Sequence, residues 1–114
     1  MADCRVIANY NRLYEAPIIG AAGDAVKVVR REDDEPGWIW CEHEISGLGG
    51  WVPEAFVERI NEQAAVLRRD YSAIELSVSV GQTLKIIESV AGWTWCVSTE
   101  GDAGWVPTHN LATT

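Results

Sequence analysis

The 114-residue sequence is short of positive charge, of cysteine and of long apolar runs. Lysine and arginine number 9 against 17 acids, a formal net charge of −8. The deficit runs through both halves: residues 1–60 carry eleven acids and six bases, and residues 61–114 carry six and three. A nucleic-acid backbone or an anionic membrane would repel such a chain, so neither is expected as a partner, whereas a basic peptide is compatible. The three cysteines show no Cys-x-x-Cys spacing, and no metal is expected. No apolar run is long enough to span a bilayer, and the N-terminus has no signal-type apolar segment, so the expected setting is cytoplasmic. A phosphate loop is missing, and no motif sets a serine or cysteine beside a histidine and an acid. The chain is therefore expected to be non-catalytic and to need no cofactor. His43 and His109 have no ligand-like company and are expected at the surface.

What the sequence does contain, it contains twice. Gly37-Trp38-Ile39-Trp40-Cys41 precedes a polar loop and Gly50-Trp51-Val52-Pro53; Gly92-Trp93-Thr94-Trp95-Cys96 precedes another loop and Gly104-Trp105-Val106-Pro107. All 6 tryptophans lie in these blocks. Trp-x-Trp-Cys has the period of a two-faced strand, and the loops carry glycine and other turn residues, so each block reads as a β-hairpin. Pro53 and Pro107 cannot donate to a ladder and mark the hairpin ends. Strand alternation puts Cys41 with Ile39, and Cys96 with Thr94, on the face opposite the tryptophans, where free cysteine packs as a small buried hydrophobe.

The flanking segments repeat as well. Residues 5–10 match 66–71, ending in Tyr10 and Tyr71; Gly23 matches Gly81; the β-branched run 25–29 matches 84–87. Residues 75–80 alternate as a further strand, Glu54-Ala55-Phe56 reads as one helical turn, and 57–60 as a closing strand. The offset between copies changes only between predicted strands, so the length differences fall in loops. The expected architecture is all-β, two tandem five-stranded barrels over residues 4–60 and 64–112. Asn61-Glu62-Gln63 is then the whole linker, which spans at most about 10 Å extended.

This pattern resembles the SH3 family. Asp70-Tyr71-Ser72-Ala73 is similar to the latter part of its ALYDY opening, Glu75-Leu76-Ser77-Val78 with Gly81-Gln82 to its ELSF…GD stretch, and Gly-Trp-Val-Pro to its G-x-x-P-x-x-Y segment. The resemblance implies a shallow aromatic groove for a polyproline II peptide. In the first copy it implies Tyr10, Trp38, Pro53 and Phe56, with Glu15, Asp33, Asp34 and Glu35 selecting a basic residue beside the prolines. In the second it implies Tyr71, Glu75, Trp93, Pro107 and Asn110. Trp38 and Trp93 are expected to be exposed, and the other four tryptophans to serve packing. The opening motif's first tyrosine is replaced by Ala8 and Arg69, and the last groove tyrosine by Phe56 and Asn110, so the first copy is expected to supply most of the binding. Two other readings accompany this one: a bacterial SH3-like module that binds cell-wall peptides, and a structural pair whose tryptophan faces are buried on each other or on a second chain by self-association.

Overall fold

A computed structural model describes residues 2–31 and 36–113. Asp33, Asp34 and Glu35 lie outside the described residues. The first half contains β1 (Ala2–Val6), β2 (Ile19–Gly20), β3 (Ala25–Arg31), β4 (Trp38–His43), β5 (Gly49–Pro53) and β6 (Val57–Arg59). The second contains β7 (Ala64–Leu67), β8 (Tyr71–Ser72), β9 (Thr83–Val90), β10 (Trp93–Ser98), β11 (Ala103–Pro107) and β12 (Leu111–Thr113). Single 3-10 turns, Glu54–Phe56 and Thr108–Asn110, follow the two Val-Pro pairs. Among the described residues there is no α-helix.

The architecture is all-β, with two five-stranded barrels, but the strands are shared out differently from the sequence repeats. One five-stranded sheet runs β11-β10-β9-β1-β12 and a second β5-β4-β3-β7-β6, while β2 pairs with β8 in a separate two-stranded sheet. The opening strand of each repeat thus lies in the sheet of the other. β1 pairs with β9 (Cys4 opposite Leu84) and with β12 (Val6 opposite Leu111). β7 pairs with β3 (Val26 opposite Ala65) and with β6 (Val57 opposite Leu67). The compact units are a split unit, Met1–Glu15 with Ile74–Thr114, and a continuous central unit, Ala16–Ala73. These divisions differ from the expected 4–60 and 64–112. Residues 61–63, read from sequence as a linker, form the tight turn of the β6–β7 hairpin, where the Ile60 N–H donates to the Ala64 carbonyl at 2.9 Å. The chain instead crosses between units within the long loop that follows each opening strand, at 15–16 and 73–74.

Local signals hold within each unit. Trp40 faces Trp51 and Trp95 faces Trp105 across their hairpins. Each pair meets edge to face, with ring centroids 5.2 and 5.3 Å apart, a favoured aromatic geometry. A register shift interrupts the β3–β4 ladder between Val28 and Arg30, and another interrupts β9–β10 between Trp95 and Cys96; such bulges bend and twist a strand. Residues 75–80 do not form the expected strand. They make two isolated bridges to different partners, Glu75 with Trp105 and Val78 with Tyr10. The split unit's core gathers Cys4, Val6, Val78, Leu84, Cys96 and Val106. The central unit buries Ile18, Val26, Ile39, Val52 and Leu67, among others.

Candidate functional site

In the split unit the site begins with Tyr10, held by reciprocal backbone hydrogen bonds with Val78 at 3.0 and 2.8 Å. Its ring stands edge-on to Trp93, centroids 5.7 Å apart at 81°. Trp93 opens β10 directly after a turn in which Ala91 and Gly92 take φ of 48° and 88°. Glycine adopts this left-handed geometry freely, while alanine pays a steric penalty there. Trp93 lies opposite Pro107, which is buried and leads into the second 3-10 turn. Tyr10 and Trp93 are both half-buried.

Two polar residues fix this surface from beneath. Glu75, only 9% exposed, accepts the Tyr10 hydroxyl at 2.7 Å and the Leu13 N–H at 2.9 Å, both on Oε1. Its carboxylate thereby positions Tyr10 and the loop. Asn110, buried where the family pattern has a tyrosine, donates from Nδ2 to the carbonyls of Ala8 and Asn9, each at 3.2 Å. It clamps the exit of the exchanged strand. Arg12 folds back onto its own loop, donating to the Tyr14 and Glu15 carbonyls. Glu15 is exposed at the crossing.

The central unit assembles a second aromatic set. Trp38, at the start of β4, lies opposite Pro53. Phe56 meets Tyr71 edge to face at 5.7 Å, and the Tyr71 hydroxyl donates to the Trp51 carbonyl at 2.6 Å. The Arg69 guanidinium lies over the Phe56 ring, 4.2 Å from its centroid, in cation–π geometry. Trp38 is 4% exposed, and Phe56 and Tyr71 are also buried. The expectation of an exposed Trp38 is therefore corrected. The groupings change too: Tyr10 belongs with Trp93, Glu75, Pro107 and Asn110, and Tyr71 with Trp38, Pro53 and Phe56. The physical reason is the strand exchange, which carries each opening tyrosine into the unit built mainly from the other repeat.

His43 is likewise not a surface histidine. It is buried, with Nε2 2.8 Å from Asp24 Oδ2, while Nδ1 accepts the Ile45 N–H at 3.1 Å. Nδ1 is thus an acceptor and Nε2 the donor. That bond, followed by one from the Ala21 N–H, holds the Asp24 carboxyl below its usual range. Burial pushes the Cys41 and Cys96 thiols up to about 12; both are free and buried, as is Cys4. Among the described residues no group of three or more His, Cys, Asp or Glu is placed to hold a metal, and no helix is long and apolar enough to cross a membrane.

A family model described as the variant SH3 domain matches residues 4–60 and again 67–113. No solved structure matches the chain. The matched segments follow the sequence repeats, whereas the compact units follow the exchanged strands.

Proposed function

The chain belongs to the variant SH3 domain family, whose domains are protein-interaction modules in general, and from that premise we propose a non-catalytic module that takes proline-rich peptide segments with a basic flank on the Tyr10–Trp93 surface of the split unit. The observation that carries this reading is the half-buried, edge-on Tyr10–Trp93 pair. Rings held rigidly with one part open offer apolar contact to proline while losing little side-chain entropy. The sequence favours Trp38, but a tryptophan 4% exposed offers little area to a ligand. The burial of Trp38, Phe56 and Tyr71 favours a structural role for the central unit's aromatic set. Exposed Glu15 is the acid of the split unit's loop that would meet a basic flank.

The test is titration of a proline-rich, arginine-flanked peptide library against the wild type, Trp93→Ala and Trp38→Ala. Trp93→Ala is expected to weaken binding by about 2 kcal/mol or more, the scale of an interface hot spot. Trp38→Ala is expected to act mainly on stability. Equal losses of affinity, or a larger loss from Trp38→Ala in protein that remains folded, would overturn the assignment. Absence of binding by the wild type would leave the structural reading in its place.

A further inference from the structure

The ladder bonds of the two exchanged strands do not by themselves distinguish the exchanged trace from an unexchanged one. β1 and β7 occupy corresponding places: Val6 donates to the Gln82 carbonyl and accepts from Gly81, and Leu67 donates to the Asp24 carbonyl and accepts from Gly23. All four bonds are 2.8–2.9 Å long. An unexchanged chain, with each opening strand returned to its own repeat, would make these same four bonds, though it would give up the short β6–β7 turn in which the Ile60 N–H donates to the Ala64 carbonyl. The side chains provide a second discrimination between the two traces.

The positions opposite the two tyrosines distinguish the arrangements. Gly20 lies opposite Tyr71, and Val78 lies opposite Tyr10, so Gly20 and Val78 correspond. In the central unit Leu67 fills the space above Gly20. A Cβ added there would lie 2.6 Å from Leu67 Cδ1 and 3.3 Å from His43 Cδ2, and Gly20 has no positive φ that would itself demand glycine. In the split unit Val6 and Val78 share one core, 1% and 3% exposed. The larger strand residue therefore packs over glycine, and the smaller one shares its core with valine. Undoing the exchange would set Val6 against Gly20, leaving a void, and Leu67 against Val78, crowding a filled core. Both changes destabilise a close-packed interior. It would also replace Arg69 by Ala8 above Phe56, losing the cation–π contact.

We propose that this volume complementarity, Leu67 with Gly20 and Val6 with Val78, selects the exchanged chain trace, and so commits the opening tyrosine of each repeat to the aromatic site of the other. The two repeats are then obligate partners in building either site, although the family pattern treats each as self-contained.

The test uses methyl-labelled full-length protein. Nuclear Overhauser cross-peaks are expected between the Val6 and Val78 methyls, and between the Leu67 methyls and Gly20 Hα; cross-peaks from Val6 to Gly20 in their place would overturn the proposal. The double variant Val6→Leu/Leu67→Val keeps the composition and reverses the preference. Transfer of the position-6 cross-peaks to Gly20, or a loss of about tenfold or more in the folding constant, the scale of a misfitted core, is the expected result. Unchanged cross-peaks with unchanged stability would refute the selection. Should that variant fail to fold, a second pair decides. Gly20→Ala is expected to lower the folding constant about tenfold or more, and adding Leu67→Val to restore most of the loss. Additive losses would overturn the proposal.

Discussion

Replacing Tyr10 by phenylalanine tests the buried polar support of the Tyr10–Trp93 surface without removing the ring. The hydroxyl donates to Glu75 Oε1 at 2.7 Å, and the same oxygen accepts the Leu13 N–H at 2.9 Å. A hydrogen bond to a charged acceptor contributes about 1.5–3 kcal/mol, and a buried acceptor stripped of a partner keeps its desolvation cost. Glu75 retains one donor after the change, so the lower end applies, about 1.5 kcal/mol. Glu75→Ala removes the acceptor, after which Tyr10→Phe has little left to lose, and the two substitutions should couple by about 1 kcal/mol or more. Urea unfolding of the wild type, both single variants and the double variant measures the cycle, with constant slopes confirming that only stability has changed. Additivity within about 0.3 kcal/mol would mean that the hydroxyl does not meet Glu75 in solution.

Asp24→Asn should lower stability most above about pH 4, the ordinary carboxylate pKa. Because the folded carboxyl is held below that value by His43 and Ala21, the wild-type advantage is present above it and lost as pH falls through the lowered value; urea midpoints between pH 5 and pH 3 that stay equally far apart would contradict this. Cys41 and Cys96, buried with thiols pushed up to about 12, should react with an aromatic disulfide reagent at pH 8 only after urea is added; rapid native labelling of both would count against the packing. The segment 16–73 holds one whole five-stranded sheet and should fold when expressed alone, whereas 1–61 lacks β7 and should not. Dispersed amide spectra from 1–61 and a collapsed spectrum from 16–73 would reverse that conclusion.

Each element that a local pattern specifies is legible in the sequence. The Trp-x-Trp-Cys period gives β4 and β10, the Val-Pro pairs end β5 and β11, and the Glu54–Phe56 turn follows where the prolines stop the ladder. The buried sides of Cys41 and Cys96 also follow from alternation alone. The buried state of His43 is less legible, because its partner Asp24 lies nineteen residues away and only the folded turn brings them together. The arm 75–80 misleads in the opposite direction: its alternation is real, but its backbone bonds are spent on two separate bridges.

The grouping of site residues fails for a different reason. A repeat supplies two equivalent strands and two equivalent places for them, and the strand period and turn chemistry within a copy are blind to the choice. Trp38 and Trp93 both follow a glycine and lie opposite a proline, so nothing local tells Tyr10 which to meet. Differences between the copies carry that information, among them Gly20 where the other copy has Val78, Leu67 where it has Val6, and Phe56 beneath Arg69 where it has Asn110 beneath Ala8. Read as departures from a family pattern, Arg69 and Asn110 look like damage to a groove. In the folded chain each contacts a segment from the other repeat: Arg69 stacks on Phe56, and Asn110 clamps the carbonyls of Ala8 and Asn9. The residues that depart most from the pattern are thus the ones that join the two repeats across the exchange.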